Sequence, residues 1–94
     1  MGVKSYKELI DGQKAIDLVV IVYRHTMAFP KDEIYGLRQQ MRRAVVSLPS
    51  NIAEGQCRST TNDFLRFLSI ARGSLAELET QVVIAQRLAY FNDE

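Results

Sequence analysis

In 94 residues the chain has one cysteine, one histidine and no tryptophan. Cys57 alone cannot close an internal disulfide, and with His25 it falls short of the four ligands of a structural zinc site. Neither a disulfide framework nor a metal-held core is expected, and no cofactor. This cysteine usage favours the cytoplasm. Two prolines and five glycines are too few for a collagen-like or low-complexity chain. Long hydrophobic runs are also missing: the longest nearly apolar stretch, Ala15 to Tyr23, is less than half a membrane span. Lys4, Lys7 and Lys14 are not followed by an apolar core of signal-peptide type, so no membrane partner is expected. Glycine-rich phosphate loops and metal-ligand spacings are absent as well.

What is present is helix, in a chain short enough for a single domain over residues 1–94. Phe64, Leu68, Ala71, Leu75, Leu78, Val82, Ala85 and Ala89 alternate spacings of four and three, which lines one helical face. Thr60 and Asp63 supply a cap, so a long helix is predicted from about Thr61 to Ala89. A first helix is predicted from about Gly12 to Ala28, with Ile16, Val19, Val20, Tyr23 and Met27 inside. A second holds Leu37, Met41, Ala44, Val45, Leu48 and Ile52 on one face. Pro49 should kink or break it, and the free φ of Gly55 should end it. Gly73, inside the third helix, is expected to allow a close helix approach. The fold class is therefore all-α, an up-and-down antiparallel bundle of three long helices. Phe91-Asn92-Asp93-Glu94 reads as a loop and the cap of a fourth helix that is missing or truncated.

Each helix also carries apolar residues away from its core stripe. Leu18, Ile21, Val22, Val46, Ile70, Ile84 and Leu88 would form a second apolar surface that three helices cannot cover. A homo-oligomer is the expected consequence. The missing fourth helix would also leave part of the inner stripe of helices one and three open, and a dimer that pairs two such grooves into a bundle is one way to fill it.

Charge is unevenly placed. Residues 38–72 hold Arg38, Arg42, Arg43, Arg58, Arg66 and Arg72 against Glu54 and Asp63, six cations to two anions, a net of +4. Residues 73–94 hold Arg87 against four carboxylates, a net of −3. Guanidinium groups suit bidentate phosphate contacts, which makes the six arginines candidates for binding RNA or DNA backbone. The alternative is pairing with Glu54 and Glu77 inside an assembly. Arg38 and Arg42, one turn apart on an outer flank, are expected to carry phosphate contacts, whereas Arg43 and Arg58 are expected to be structural. Ser47, Asn51, Glu54, Ser74 and Glu77, at the borders of the core faces, are candidates for a polar network between the second and third helices. No catalytic constellation stands out: the serines have no placed histidine, Glu77 and Glu79 point apart, and Cys57 reads as a partly buried structural thiol. A non-enzymatic role is expected.

The segments Tyr35-Gly36-Leu37, Gln40-Met41-Arg42-Arg43-Ala44, Ser47-Leu48-Pro49-Ser50-Asn51-Ile52-Ala53-Glu54-Gly55 and Gly73-Ser74-Leu75 resemble the bacterial four-helix bundle proteins. These are also called the 23S rRNA intervening-sequence protein family. The resemblance begins at Gln13-Lys14-Ala15 and continues through Phe67-Leu68, Glu77-Leu78-Glu79 and Gln81. It implies an antiparallel bundle assembled as a homopentamer. Through the related accessory variability protein of diversity-generating retroelements, it also implies a nucleic-acid-binding role beside a larger ribonucleoprotein or a reverse transcriptase. Two departures stand out: Gly12 takes the place of a common Trp, and the fourth helix is not seen.

Overall fold

A computed structural model describes the backbone of residues 6–91, and the side chains from Gly12 onward. It contains three α-helices, α1 (Tyr6–Thr26), α2 (Leu37–Gln56) and α3 (Thr61–Arg87), with a single 3-10 turn at Lys31–Glu33. No strand occurs among the described residues. The cap expected at residues 92–94 lies outside them.

Pairing is antiparallel throughout. Arg42 meets Thr26 while Ile52 approaches Gly12, and Gly55 meets Phe64 while Ser47 meets Ser74. α2 is the central helix: α1 packs on one side of it and α3 on the other, and no Cα of α1 comes within 8 Å of one in α3 among the described residues. The stripe of α2 between them supplies the deepest core residues, Met41 and Val45, both fully buried. Ala44 and Leu48 extend this stripe, while Ala71, Leu78 and Ala85 of α3 close over it. Between α1 and α3 an apolar groove stays open over Met41, Leu48 and Ile52, walled by Leu18, Leu75 and Val82.

The stripes of α2 and α3 are close to those read from the sequence, although Leu75 and Ala89 prove exposed. In α1 the buried face is different. Ala15, Val22 and Thr26 point inward with Leu18 and Val19 half-buried, whereas Ile16, Val20, Tyr23 and Met27 are exposed, Met27 at 70%. Both faces of α1 are apolar, so periodicity cannot choose between them. Thr26 decides the matter, because its hydroxyl is satisfied in the interior. It donates to the Val22 carbonyl at 2.8 Å and accepts from Arg42 Nε at 3.0 Å. Val22, expected on an outer surface, is therefore core at 6% exposure.

α2 runs without a break through Pro49. Proline removes one donor from the ladder, and the helix tolerates it while packed on both flanks. Gly55 is not in a left-handed conformation, since no glycine has positive φ among the described residues. Its role is steric instead: an added Cβ would lie 3.1 Å from Phe67 Cβ and 3.2 Å from Phe64 Cδ1. Gly73 shows the reverse, with nothing within 4 Å of its would-be Cβ, so the close approach expected there does not occur within the chain. Thr60 caps α3 as predicted, accepting from the Asp63 N–H at 3.1 Å.

α3 ends in a Schellman turn. Ala89 takes φ 61°, Ala89 N–H bonds Gln86 O at 3.0 Å and Tyr90 N–H bonds Ala85 O at 2.9 Å. The turn folds Tyr90 and Phe91 back onto Phe29, with ring centroids 5.2 and 5.3 Å away.

Candidate nucleic-acid interface

The flank of α2 that meets α1 begins with Arg38 and Arg42, and Arg42 is built into the junction. Its Nε donates to Thr26 Oγ1 at 3.0 Å, its Nη2 donates to the Tyr23 carbonyl at 3.0 Å, and its guanidinium lies 4.3 Å over the Tyr23 ring. Nη1 stays uncommitted among the described residues. Burial, then the neighbouring Arg38, holds the Arg42 guanidinium below the ordinary arginine range. It remains a cation, as arginine does in proteins.

Two shallow clefts of about 530 and 510 Å³ flank this ridge. The first lies between Ile34, Val46 and Gln39 and is edged by Arg43; the second lies against Val20 and Met27 and is edged by Arg24. Tyr23, Arg38 and Arg42 belong to both. The two clefts thus have four arginines along them and no Asp or Glu. Arg43 is exposed and makes no ion pair or hydrogen bond among the described residues, and Arg38 makes none either.

The division of labour among the arginines is thus not the one read from the sequence. Arg42 is the structural member and Arg43 the free one. Periodicity puts Arg42 on the flank of α2, but that flank is where α1 docks. Arg58 does pair internally, with Glu54 at 2.7 Å, and lies 4.6 Å over the Phe67 ring. Arg66 faces the same ring at 4.6 Å and sits 3.9 Å from Asp63. Arg72 is exposed near the far end of the α1–α3 groove, away from both clefts. Arg24 and Gln39 were not singled out from the sequence, and Tyr23 and Met27, read there as core, are exposed here. Arg24 and Tyr23 could have been found by placing the basic and aromatic residues that end the first helix beside the start of the second.

The polar network forms in part. Ser47 Oγ and Ser74 Oγ are 2.6 Å apart, and Asn51 Nδ2 donates to Ser47 Oγ at 2.9 Å and to the Ser47 carbonyl at 2.8 Å. Glu54 belongs to the Arg58 pair instead. Glu77 is exposed beside Arg43 at the edge of this network without joining it. Of the outer apolar residues, Ile21, Val46, Ile70, Ile84 and Leu88 are exposed, Leu18 is half-buried and Val22 is core. Cys57, read as partly buried, is exposed at the end of α2, and no metal-holding group of side chains occurs among the described residues. No described helix is long and apolar enough to cross a membrane.

These features define a small antiparallel all-α bundle with two arginine-edged clefts, lined by no Asp or Glu, at its α1–α2 edge. The family model of the 23S rRNA-intervening sequence proteins matches residues 7–94, and the chain belongs to that family. Comparison with curated proteins finds no match.

Proposed function

We propose that the protein is a non-catalytic, cytoplasmic, self-associating bundle that binds the phosphate backbone of RNA or DNA, as an accessory or scaffold to a larger ribonucleoprotein or a reverse transcriptase. The observation that carries the reading is the concentration of Arg24, Arg38, Arg42 and Arg43 along two adjoining clefts whose linings hold no Asp or Glu, Glu77 lying beside Arg43 without pairing with it among the described residues. Unpaired guanidinium groups repel one another, as the effect of Arg38 on Arg42 illustrates. A polyanion relieves that repulsion and releases its own counterions on binding. Self-association is supported by Ile21, Ile70, Ile84 and Leu88, exposed on two helices, and by the open groove between α1 and α3. A groove-to-groove dimer would cover the groove and Ile21, and a pentamer, as the family resemblance implies, is the assembly that could cover the other residues as well.

A second reading, a protein-interaction module without nucleic-acid affinity, draws on Arg58 and Arg66, which are already matched to Glu54 and Asp63. Titrating labelled RNA with the protein over a salt series separates the two. Phosphate binding makes log affinity fall linearly with log salt, by about 0.7 per phosphate for a single strand. Absence of binding at low salt would leave the second reading. Light scattering at micromolar concentration tests self-association, and a folded monomer of 10.7 kDa would refute it.

A further inference from the structure

The arrangement of the two clefts goes further than their charge. Each is a shallow, open concavity with apolar side chains along it. Ile34 and Val46 line one, Val20 and Met27 the other, and all four are exposed. Between them stands a cationic ridge, the stacked Arg42–Tyr23 pair and Arg38, shared by both. The pattern along the surface is apolar recess, cation, apolar recess. A duplex presents phosphates outward and keeps its bases stacked inside, so it could use the ridge but not the recesses. An amphipathic protein helix needs one continuous apolar groove, which the ridge interrupts. A single strand presents base, phosphate and base in alternation, the same order of apolar and anionic groups.

We propose that this surface is a binding site for single-stranded nucleic acid, with two successive unpaired bases in the two recesses and the phosphate between them on Arg38 and Arg42. Arg42 is held in place by Thr26 and Tyr23 and presents its free Nη1. Arg38 adds a second cation, and Arg43 and Arg24 meet the flanking phosphates at the outer edges. Gln39, in the first recess, supplies an amide that can both donate to and accept from a base edge. The inference rests on the nucleic-acid reading above and adds strandedness and base dependence to it.

Fluorescence anisotropy on the full chain tests it with four probes of about 12 nucleotides: single-stranded RNA, single-stranded DNA of the same sequence, the RNA duplex, and an abasic strand with the same phosphates. Binding to the single strands should exceed binding to the duplex and the abasic strand by roughly tenfold or more, since covering the aliphatic side chains of both recesses with base faces is worth a factor of about that order. Whichever of RNA and DNA binds more tightly identifies the polymer. Val46→Ser with Val20→Ser leaves every charge in place and alters only partly exposed side chains. It should abolish the single-strand advantage while leaving duplex affinity and salt slope unchanged. Equal binding of duplex, abasic and single strands, or a double variant that keeps the advantage, overturns the proposal and leaves backbone binding standing. No binding to any probe at low salt overturns both.

Discussion

Tyr90 donates a hydrogen bond from its phenol to Glu33 Oε2 at 2.8 Å, across 57 residues of chain. The other carboxylate oxygen, Oε1, accepts the Leu37 N–H at the start of α2 at 2.9 Å. One side chain thus ties the 3-10 turn to the first turn of α2 and to the turn that ends α3. The Leu37 N–H, and then the Tyr90 hydroxyl, holds the Glu33 carboxyl below the ordinary carboxylate range. A depressed folded-state pKa contributes stability that is complete above the unfolded-state value and is lost as pH falls through the folded one. Urea midpoints for the wild type and Glu33→Gln should therefore differ at neutral pH and converge in acid. A gap independent of pH would contradict this. At the alkaline end the same bond raises the Tyr90 pKa, so its contribution is present below the ordinary phenol value and disappears as pH rises through the folded one.

Arg42 and Arg43 are neighbours with opposite roles. Arg42→Ala removes two hydrogen bonds and the Tyr23 stack from the α1–α2 junction and leaves the buried Thr26 hydroxyl short of a partner. It should destabilise the fold by about 1–2 kcal/mol in urea unfolding. Arg43→Ala should change stability by less than about 0.5 kcal/mol, as for an exposed side chain with no partner. Equal losses would contradict the assignment.

The two α2–α3 glycines should respond to alanine in opposite directions. Gly55→Ala drives a methyl against Phe64 and Phe67 and should destabilise by roughly 1–3 kcal/mol. Gly73→Ala meets only open space and should stabilise by up to about 1 kcal/mol through helix propensity. A destabilised Gly73→Ala would instead place the backbone of another subunit against that position.

Ala89 holds a left-handed conformation that glycine adopts without strain. Ala89→Gly should raise stability by about 0.5–1 kcal/mol. A lower melting temperature than wild type would argue against the Schellman turn.

Much of this architecture was legible in the sequence, and the misreadings share a cause. α2 and α3 each carry one continuous apolar stripe at helical spacing, so those stripes could be read directly even with Val46, Ile70 and Ile84 exposed outside them. α1 is apolar on two faces, and the residue that fixes its orientation, Thr26, looks polar until Arg42 arrives from another helix. Gly55 and Gly73 could be recognised as unusual, but whether a neighbour lies against a glycine depends on the partner helix. The Glu33–Tyr90 bond joins residues too far apart in sequence for any local pattern to reveal. The basic character of residues 38–72 was plain. That three of its six arginines, Arg38, Arg42 and Arg43, gather with Arg24 and Tyr23 along clefts lined by no carboxylate required the packing of α1 on α2.

The central claim, that this edge binds nucleic-acid phosphates, is tested most directly by comparing salt slopes for single-stranded RNA between the wild type and the Arg38→Ala, Arg43→Ala double variant. Neither residue makes a hydrogen bond or ion pair among the described residues, so the variant should fold normally. The account predicts weaker binding and a slope of log affinity against log salt shallower by about 1.4, the value for two lost phosphate contacts. An unchanged affinity and slope in a folded variant would contradict it.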